Sequence, residues 1–125
     1  MISIAIIDDH PMVREGLEAM LTSDGAFNVV ALASNGLEAI ETLPKLAADV
    51  VLSDVRMPRM DGFAMLEHLK KIMPGVKVVF LAGMPLKEEE ARARRDGAAG
   101  YLPKDVDQDR LSTVIKAIAS GEEMF

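Results

Sequence analysis

The stretch DVVLSDVRMP, residues 49–58, contains an apolar run that ends on a carboxylate. The run continues to Ser53, Asp54 follows at once, and Pro58 indicates that the chain has turned out of the core. A near-continuous apolar run is typical of a parallel strand that is covered on both faces. Asp54 alone could be a turn residue or a helix cap, so its meaning depends on what the rest of the chain places beside it.

Four further apolar segments resemble this one, and helical patterns separate them. The predicted strands are residues 2–7, 27–33, 49–53, 76–82 and 98–102. The predicted helices begin near Pro11, Asn35, Asp61, residue 85 and Asp107, and Asn35, Asp61 and Asp107 are predicted to cap theirs. This alternation predicts an α/β fold, in which an open, mostly parallel sheet carries helices on both faces.

The helical patterns differ in how many large apolar residues they place on one face. The third helix is predicted to turn Phe63, Leu66, Leu69 and Ile72 inward. The fourth, roughly 85–96, has few such anchors, and we expect it to be the loosest element. Two acid-first pairs at i,i+4 spacing are predicted on its surface, Glu88–Arg92 and Glu90–Arg94.

Length and composition exclude several classes of protein. A chain of 125 residues is the size of one domain, and its net charge of -6 argues against direct binding of nucleic acid. No apolar run is long enough to span a bilayer, and the first residues lack the basic region and cleavage site of a signal peptide. The chain has no cysteine, so it has neither disulfides nor thiolate metal ligands. These features favour a soluble cytoplasmic protein.

Charged side chains follow three of the predicted strands. They are Asp8 and Asp9 after the first, Asp54 after the third, and Lys104 near the end of the fifth. Because ligands of such sheets bind outside the carboxyl ends of the strands, these groups should converge on one site. Three carboxylates in one pocket repel each other, and a divalent cation that prefers oxygen ligands, Mg²⁺ or Mn²⁺, would relieve that repulsion. A carboxylate beside such a metal can be a nucleophile toward a phosphoryl group.

Four segments together resemble the receiver domain of bacterial two-component response regulators. They are IIDDHPMVREGL (6–17), LSDVRMPRMDG (52–62), VVFLAG (78–83) and GAAGYLPKD (97–105). The resemblance covers about residues 2–120 and is strongest to the NarL/FixJ (LuxR-type) class, whose members carry a C-terminal helix-turn-helix DNA-binding domain. It implies a flavodoxin-like, doubly wound sheet of five parallel strands in the order 2-1-3-4-5, flanked by five helices.

The resemblance also implies a role for each acidic residue. Asp54 would accept the phosphoryl group from a phosphohistidine on a sensor histidine kinase. Asp8, Asp9 and Asp54, with the backbone carbonyl of Arg56, would hold Mg²⁺ or Mn²⁺. His10 stands beside the acidic pair and could be a metal ligand or phosphoryl carrier, but we expect a cap or loop residue because oxygen ligands already suffice.

One position departs from the family pattern and leaves an alternative function open. Lys104 and the backbone N–H of Gly83 would contact the phosphoryl group, and Tyr101 matches the aromatic residue that moves on activation. Ala82 stands where the family usually has Ser or Thr, whose hydroxyl donates to the phosphoryl group and draws the aromatic residue inward. We therefore expect weakened coupling to Tyr101, or else a pseudo-receiver that works without phosphorylation.

The resemblance further implies what the protein acts with. We expect residues 1–125 to be a single receiver domain, with the DNA-binding domain of the class absent from this chain. DNA would be contacted only through that domain, a homodimer could form on phosphorylation, and no membrane partner is expected. The protein would catalyse only its own phosphorylation and dephosphorylation. An aspartyl phosphatase is disfavoured because no second acid stands two residues after Asp54, and a nucleotide carrier because no glycine-rich loop follows the first strand.

Overall fold

The apolar runs form one parallel sheet in the computed structural model, which describes residues 1–125. The strands are β1 (Ile2–Ile7), β2 (Phe27–Ala33), β3 (Val50–Asp54), β4 (Val78–Ala82) and β5 (Gly100–Pro103). Their order is β2-β1-β3-β4-β5, and every neighbouring pair is parallel. The predicted class and strand order are therefore confirmed. β3, β4 and β5 begin one or two residues later than predicted, and β3 extends to include Asp54.

Four α-helices and one short 3₁₀ turn connect the strands, and a fifth helix follows β5. The helices are α1 (Pro11–Thr22), α2 (Gly36–Thr42), α3 (Gly62–Ile72), α4 (Lys87–Arg95) and α5 (Gln108–Ala119), and the turn is Leu43–Lys45. The side chains of Asn35, Asp61 and Asp107 each accept a backbone N–H at the start of a helix, as predicted. His10 precedes α1 but makes no side-chain cap hydrogen bond. None of the helices is long and apolar enough to cross a membrane.

Alternate residues of each strand pack into different layers of the core. In β4, Val78 and Phe80 lie in one cluster with α2 and α3, whereas Val79 and Leu81 lie in the other with α1 and α5. Both faces of the sheet are thus covered. This double coverage is the physical reason why the strands are continuous apolar runs in the sequence.

The buried face of α3 differs from the predicted one at the end of the helix. Ile72, predicted to point inward, is 55% exposed, whereas Met65 is fully buried. Ile72 is the last residue of α3, and the next residue, Met73, packs against the core instead. The prediction was wrong because the predicted positions are spaced by three residues, whereas an α-helix has about 3.6 residues per turn. Repeated from Phe63, that spacing places Ile72 on the opposite side of α3.

The surface of α4 carries different interactions from those predicted. Two predicted ion pairs do not form, Glu88–Arg92 and Glu90–Arg94. The Arg92 guanidinium lies over the Phe63 ring at 4.1 Å, and that of Arg94 lies over the Phe125 ring at 4.8 Å. Aromatic faces on neighbouring segments attract these cations away from the acids of their own helix. Ala93 is the one buried residue of α4, as the shortage of anchors indicated.

Candidate functional site

The carboxyl ends of β1 and β3 bring two carboxylates side by side. Ile7 is in register with Ser53, so Asp8 and Asp54 are the next residues of adjacent strands. Both are buried, and Asp8 is only 2% exposed. The Lys104 Nζ lies 2.9 Å from Asp54 Oδ2 and 3.1 Å from Asp8 Oδ2. The structure thus brings together the three groups that the sequence placed at separate strand ends.

The backbone around Asp54 is held closely by its neighbours. The Ser53 hydroxyl donates to the Asp54 carbonyl at 2.8 Å, and the Gly62 N–H donates to the Val55 carbonyl at 2.8 Å. A Cβ on Gly62 would lie 2.6 Å from the Asp54 carbonyl oxygen and 2.7 Å from the Phe80 ring. Only glycine fits this close approach, so α3 begins directly against the residue that carries the carboxylate. Asp54 therefore has a rigid mount.

Asp8 is fixed from the side of α1. The His10 N–H donates to Asp8 Oδ1 at 2.9 Å, and Arg14 donates to the Asp8 carbonyl at 2.6 Å. The His10 ring is exposed, and its Nδ1 lies 3.3 Å from Asp8 Oδ1 and 3.1 Å from Asp9 Oδ1. His10 is therefore the loop residue before α1 that we expected, but its ring also faces the acidic pair.

Burial and charge shift two ionisation equilibria in the site. Desolvation is the largest influence on Asp54 and raises its pKa above the ordinary value of 3.8, although Lys104 opposes the shift. Desolvation alone would lower the pKa of Lys104. Its hydrogen bonds and charge interactions with Asp54 and Asp8 outweigh that effect, so the pKa of Lys104 is raised. The Lys104 ammonium thus remains charged and neutralises part of the carboxylate pair.

The donor set of the pocket fits a divalent cation. Asp9 Oδ1 is buried and accepts no hydrogen bond, although the His10 Nδ1 lies 3.1 Å away. A buried oxygen without a donor is costly, and a cation would satisfy it. Ligand atoms of Asp8, Asp9, His10 and Asp54 can all lie within 4.8 Å of one another. Three carboxylates suit Mg²⁺ or Mn²⁺. The predicted role of the Arg56 carbonyl stays a prediction.

The residues predicted to contact a phosphoryl group lie at the same edge of the sheet. Ala82 ends β4 and is buried, and Gly83 follows it at the surface. The Lys104 N–H donates to the Ala82 carbonyl at 2.8 Å, so the ends of β4 and β5 are tied together beside the carboxylates. The Ala82 side chain is a methyl group, so it can donate no hydrogen bond to a group on Asp54.

Tyr101 is buried despite the missing hydroxyl at position 82. Its side chain is on β5, the residue is 6% exposed, and its hydroxyl donates to Glu89 Oε1 at 2.6 Å. The same hydroxyl accepts the Leu86 N–H at 3.1 Å. Desolvation, followed by the Glu89 hydrogen bond, raises the pKa of Tyr101. We expected Ala82 to be unable to draw Tyr101 inward, and the structure holds Tyr101 inward from the side of α4 instead.

Glu89 is a residue of the site that the sequence did not reveal. Its Oε2 lies 3.1 Å from the Arg56 guanidinium, and its side chain is only 9% exposed. The run Glu88-Glu89-Glu90 predicts a solvated helix face, and for Glu89 that prediction is wrong. The sequence carries no signal for the burial of Glu89, because no local pattern shows which side of α4 faces the loop after β3.

Comparisons with known proteins agree with this geometry. The family model described as "Response regulator receiver domain" matches residues 4–116. The transcriptional regulatory protein LnrK of Bacillus subtilis is 38% identical over 121 residues, which are 97% of this chain and 55% of that protein. DegU of Brevibacillus brevis is 37% identical over 120 residues, which are 96% of this chain and 51% of that protein. The chain therefore spans little more than half the length of these relatives.

A solved structure shows the same fold over nearly the whole chain. The signal receiver domain of a NarL response regulator from Mycobacterium tuberculosis has a TM-score of 0.91 and 30% sequence identity. The match covers 97% of this chain and 98% of that one. The flavodoxin-like arrangement expected from the sequence is thereby confirmed.

Proposed function

Because the chain belongs to the response regulator receiver domain family, we propose that it is a phosphoacceptor switch of a two-component system, with Asp54 as the acceptor. The observation that carries this proposal is the position of the Asp54 carboxylate. It lies at the end of a rigid buried strand, 2.9 Å from an ammonium and beside a second buried carboxylate. An ion pair with a purely structural role would not explain why a third carboxylate, Asp9, lies at the same place with a buried oxygen that accepts no hydrogen bond.

The proposed reaction transfers a phosphoryl group from nitrogen to oxygen. A carboxylate oxygen of Asp54 attacks the phosphorus of a phosphohistidine on a sensor histidine kinase. The new O–P bond forms as the N–P bond breaks, and the departing imidazole keeps the electron pair and takes up a proton. Lys104 and the Gly83 N–H would stabilise the negative charge on the transferred oxygens.

The metal in this proposal is Mg²⁺, or Mn²⁺ in its place. Asp8, Asp9 and Asp54 would hold it with the backbone carbonyl of Arg56. When bound, the cation would neutralise charge on the phosphoryl oxygens and on the acidic cluster. The residues of this chain contribute the rigid placement of the three carboxylates and the ammonium of Lys104.

The rest of the proposal concerns what the switch controls. The chain would catalyse only its own phosphorylation and dephosphorylation, in the cytoplasm, and act on no other substrate. Relatives named as transcriptional regulatory proteins are nearly twice as long as the part that matches. We therefore infer that the signal passes to a DNA-binding helix-turn-helix domain outside residues 1–125, and that phosphorylation can promote a homodimer.

A pseudo-receiver is the second candidate function. Two observations favour it, namely Ala82 in place of a hydroxyl donor and a buried Tyr101 whose hydroxyl is held by Glu89 and the Leu86 N–H. In that case the domain would bind protein partners through a fixed α4–β5 face, and Asp54 would stay unmodified.

Intact mass after incubation with a small phosphodonor and Mg²⁺ distinguishes the two functions. The phosphoacceptor proposal predicts one added phosphoryl group, which requires the metal. A folded protein that binds Mg²⁺ but gains no mass would reject the phosphoacceptor and favour the pseudo-receiver. Circular dichroism of the same sample establishes that it is folded.

A further inference from the structure

We propose that Glu89 and Arg56 are positioning residues that hold Tyr101 in its buried position, so that the loop after Asp54, rather than residue 82, sets the aromatic switch. Naming Tyr101 a switch rests on the proposed function. The contacts that hold it do not, because they are properties of the folded chain alone.

The first step of the inference is the environment of Glu89. Its carboxylate is almost fully shielded from water, and a shielded charge needs partners to offset its desolvation. It has two, one on each oxygen. Oε1 accepts the Tyr101 hydroxyl at 2.6 Å, and Oε2 lies 3.1 Å from the Arg56 guanidinium. Glu89 thus joins the side chain of β5 to the loop after β3.

The second step is the place of Arg56 in the chain. It lies two residues after Asp54, in the loop that follows β3, and its side chain is largely exposed except where it meets Glu89. A displacement of this loop would therefore act directly on the Glu89 carboxylate. Without the guanidinium, a buried carboxylate would be left with a phenol as its one partner, and moving toward water would become favourable for it.

The third step is what Tyr101 does for α4. Leu86 precedes the helix and has no side-chain cap, so its backbone N–H needs an acceptor from elsewhere. The Tyr101 hydroxyl accepts that N–H at 3.1 Å while donating to Glu89. Tyr101 therefore serves as the external partner of the start of α4. If Tyr101 left this position, the start of α4 would loosen, because α4 is anchored by only one buried residue, Ala93.

The amino-acid composition makes the inference easy to test. Tyr101 is the one tyrosine and the chain has no tryptophan, so intrinsic fluorescence excited in the aromatic band reports on Tyr101. We would measure quenching of that fluorescence by acrylamide, without metal or phosphodonor. The variants are Glu89→Ala, Arg56→Ala and Arg56→Lys, and the matched control is Glu88→Ala, an exposed acid of the same helix turn.

The expected results separate positioning from general stability. Glu89→Ala should raise the quenching constant about twofold or more, because the phenol loses its charged acceptor. Arg56→Ala should raise it in the same direction and Arg56→Lys should restore it, since lysine keeps the positive charge beside Glu89. Glu88→Ala should quench like the wild type. Circular dichroism checks that each variant is folded.

The proposal is overturned if Glu89→Ala and Arg56→Ala quench like the wild type, because Tyr101 would then be buried by packing alone. Should Glu89→Ala not fold, Glu89→Gln decides the matter. Its amide can still accept the phenol but cannot pair with Arg56, so increased quenching supports the proposal and unchanged quenching overturns it. Failure of Asp54 to take a phosphoryl group would leave these results unaffected, and the two proposals therefore fail separately.

Discussion

The Lys104 ammonium lies 2.9 Å from the Asp54 carboxylate, at the point where β3 and β5 both end. The same ammonium also reaches Asp8 at 3.1 Å. One cation therefore offsets two buried anions, and a third carboxylate, Asp9, has an oxygen with no donor. The pocket therefore has an excess of negative charge, which a further cation would offset.

Replacing Lys104 by Gln should destabilise the protein and strengthen its response to Mg²⁺. Two buried carboxylates would lose their shared partner, which we expect to cost about 3 kcal/mol of unfolding free energy. Denaturant unfolding with and without Mg²⁺ measures both effects. Lys87→Gln, at an exposed lysine of α4, is the matched control. Equal Mg²⁺ stabilisation of wild type and Lys104→Gln would contradict this account of the pocket.

Replacing Ala82 by Thr should increase the coupling between phosphorylation and Tyr101. The added hydroxyl can donate to a phosphoryl group on Asp54, and a hydrogen bond to a charged group is worth roughly 1.5–3 kcal/mol. Phosphoryl lifetime and Tyr101 fluorescence quenching are the two readouts. Ala82→Val is the control, because it matches the shape of threonine without the hydroxyl. If Thr and Val behave alike in both readouts, the missing hydroxyl does not limit the coupling.

Replacing Gly62 by Ala should disturb the mount of Asp54. The new Cβ would meet the Asp54 carbonyl oxygen at 2.6 Å, so either strand or helix must shift. We expect a loss of about 1–3 kcal/mol in unfolding free energy, as for other overpacked core positions, together with slower phosphorylation. Gly25→Ala is the control, since a Cβ there meets nothing within 4 Å. Similar losses in the two variants would argue against a tight contact at Gly62.

Asp24 should contribute to stability in a pH-dependent way. Its carboxylate accepts hydrogen bonds from the Ala26 N–H at 3.1 Å and the Ser112 hydroxyl at 2.8 Å, linking the α1–β2 turn to α5. These bonds, that of Ala26 first, lower its pKa below the ordinary value of 3.8. A lowered folded-state pKa means that the contribution is fully present above 3.8 and is lost as the pH falls toward the folded value.

The measurement for Asp24 is the unfolding free energy of wild type and Asp24→Asn across the acidic range. Wild type should be the more stable at neutral pH, and its advantage should shrink as the pH falls below 3.8. Asp105→Asn, at an exposed acid that makes no hydrogen bond through its side chain, is the control. An advantage that stays constant down to the lowest pH would show that the charge of Asp24 does not matter.

Much of the site could be predicted because it depends on strand ends. Asp8, Asp54 and Lys104 each follow a buried apolar run, and parallel strands share one carboxyl edge, so their convergence follows from the topology. The cap residues Asp61 and Asp107 were equally legible, since a cap depends on the backbone three residues away. The roles of Asp8, Asp54 and Lys104 toward a phosphoryl group or a metal remain predictions.

The environment of Glu89 could not be predicted, because it depends on how separate helices and loops are oriented relative to one another. Glu89 and its neighbour Glu88 look alike in sequence, yet one meets Arg56 and Tyr101 and the other faces water. That difference is set by the docking of α4, which local periodicity does not describe. Ile72 was misplaced for a different reason, because a spacing of three residues drifts around a helix of about 3.6 residues per turn and leaves the buried face of α3.

The central claim is that Asp54 itself carries the phosphoryl group, and chemical mapping tests it most directly. After incubation with phosphodonor and Mg²⁺, borohydride reduces an acyl phosphate to the alcohol, so a phosphorylated aspartate becomes homoserine. Peptide mass spectrometry should find homoserine at position 54, and none should appear in Asp54→Asn or without metal. Homoserine at Asp8 or Asp9 instead, or a phosphoryl group that persists in Asp54→Asn, would contradict the account.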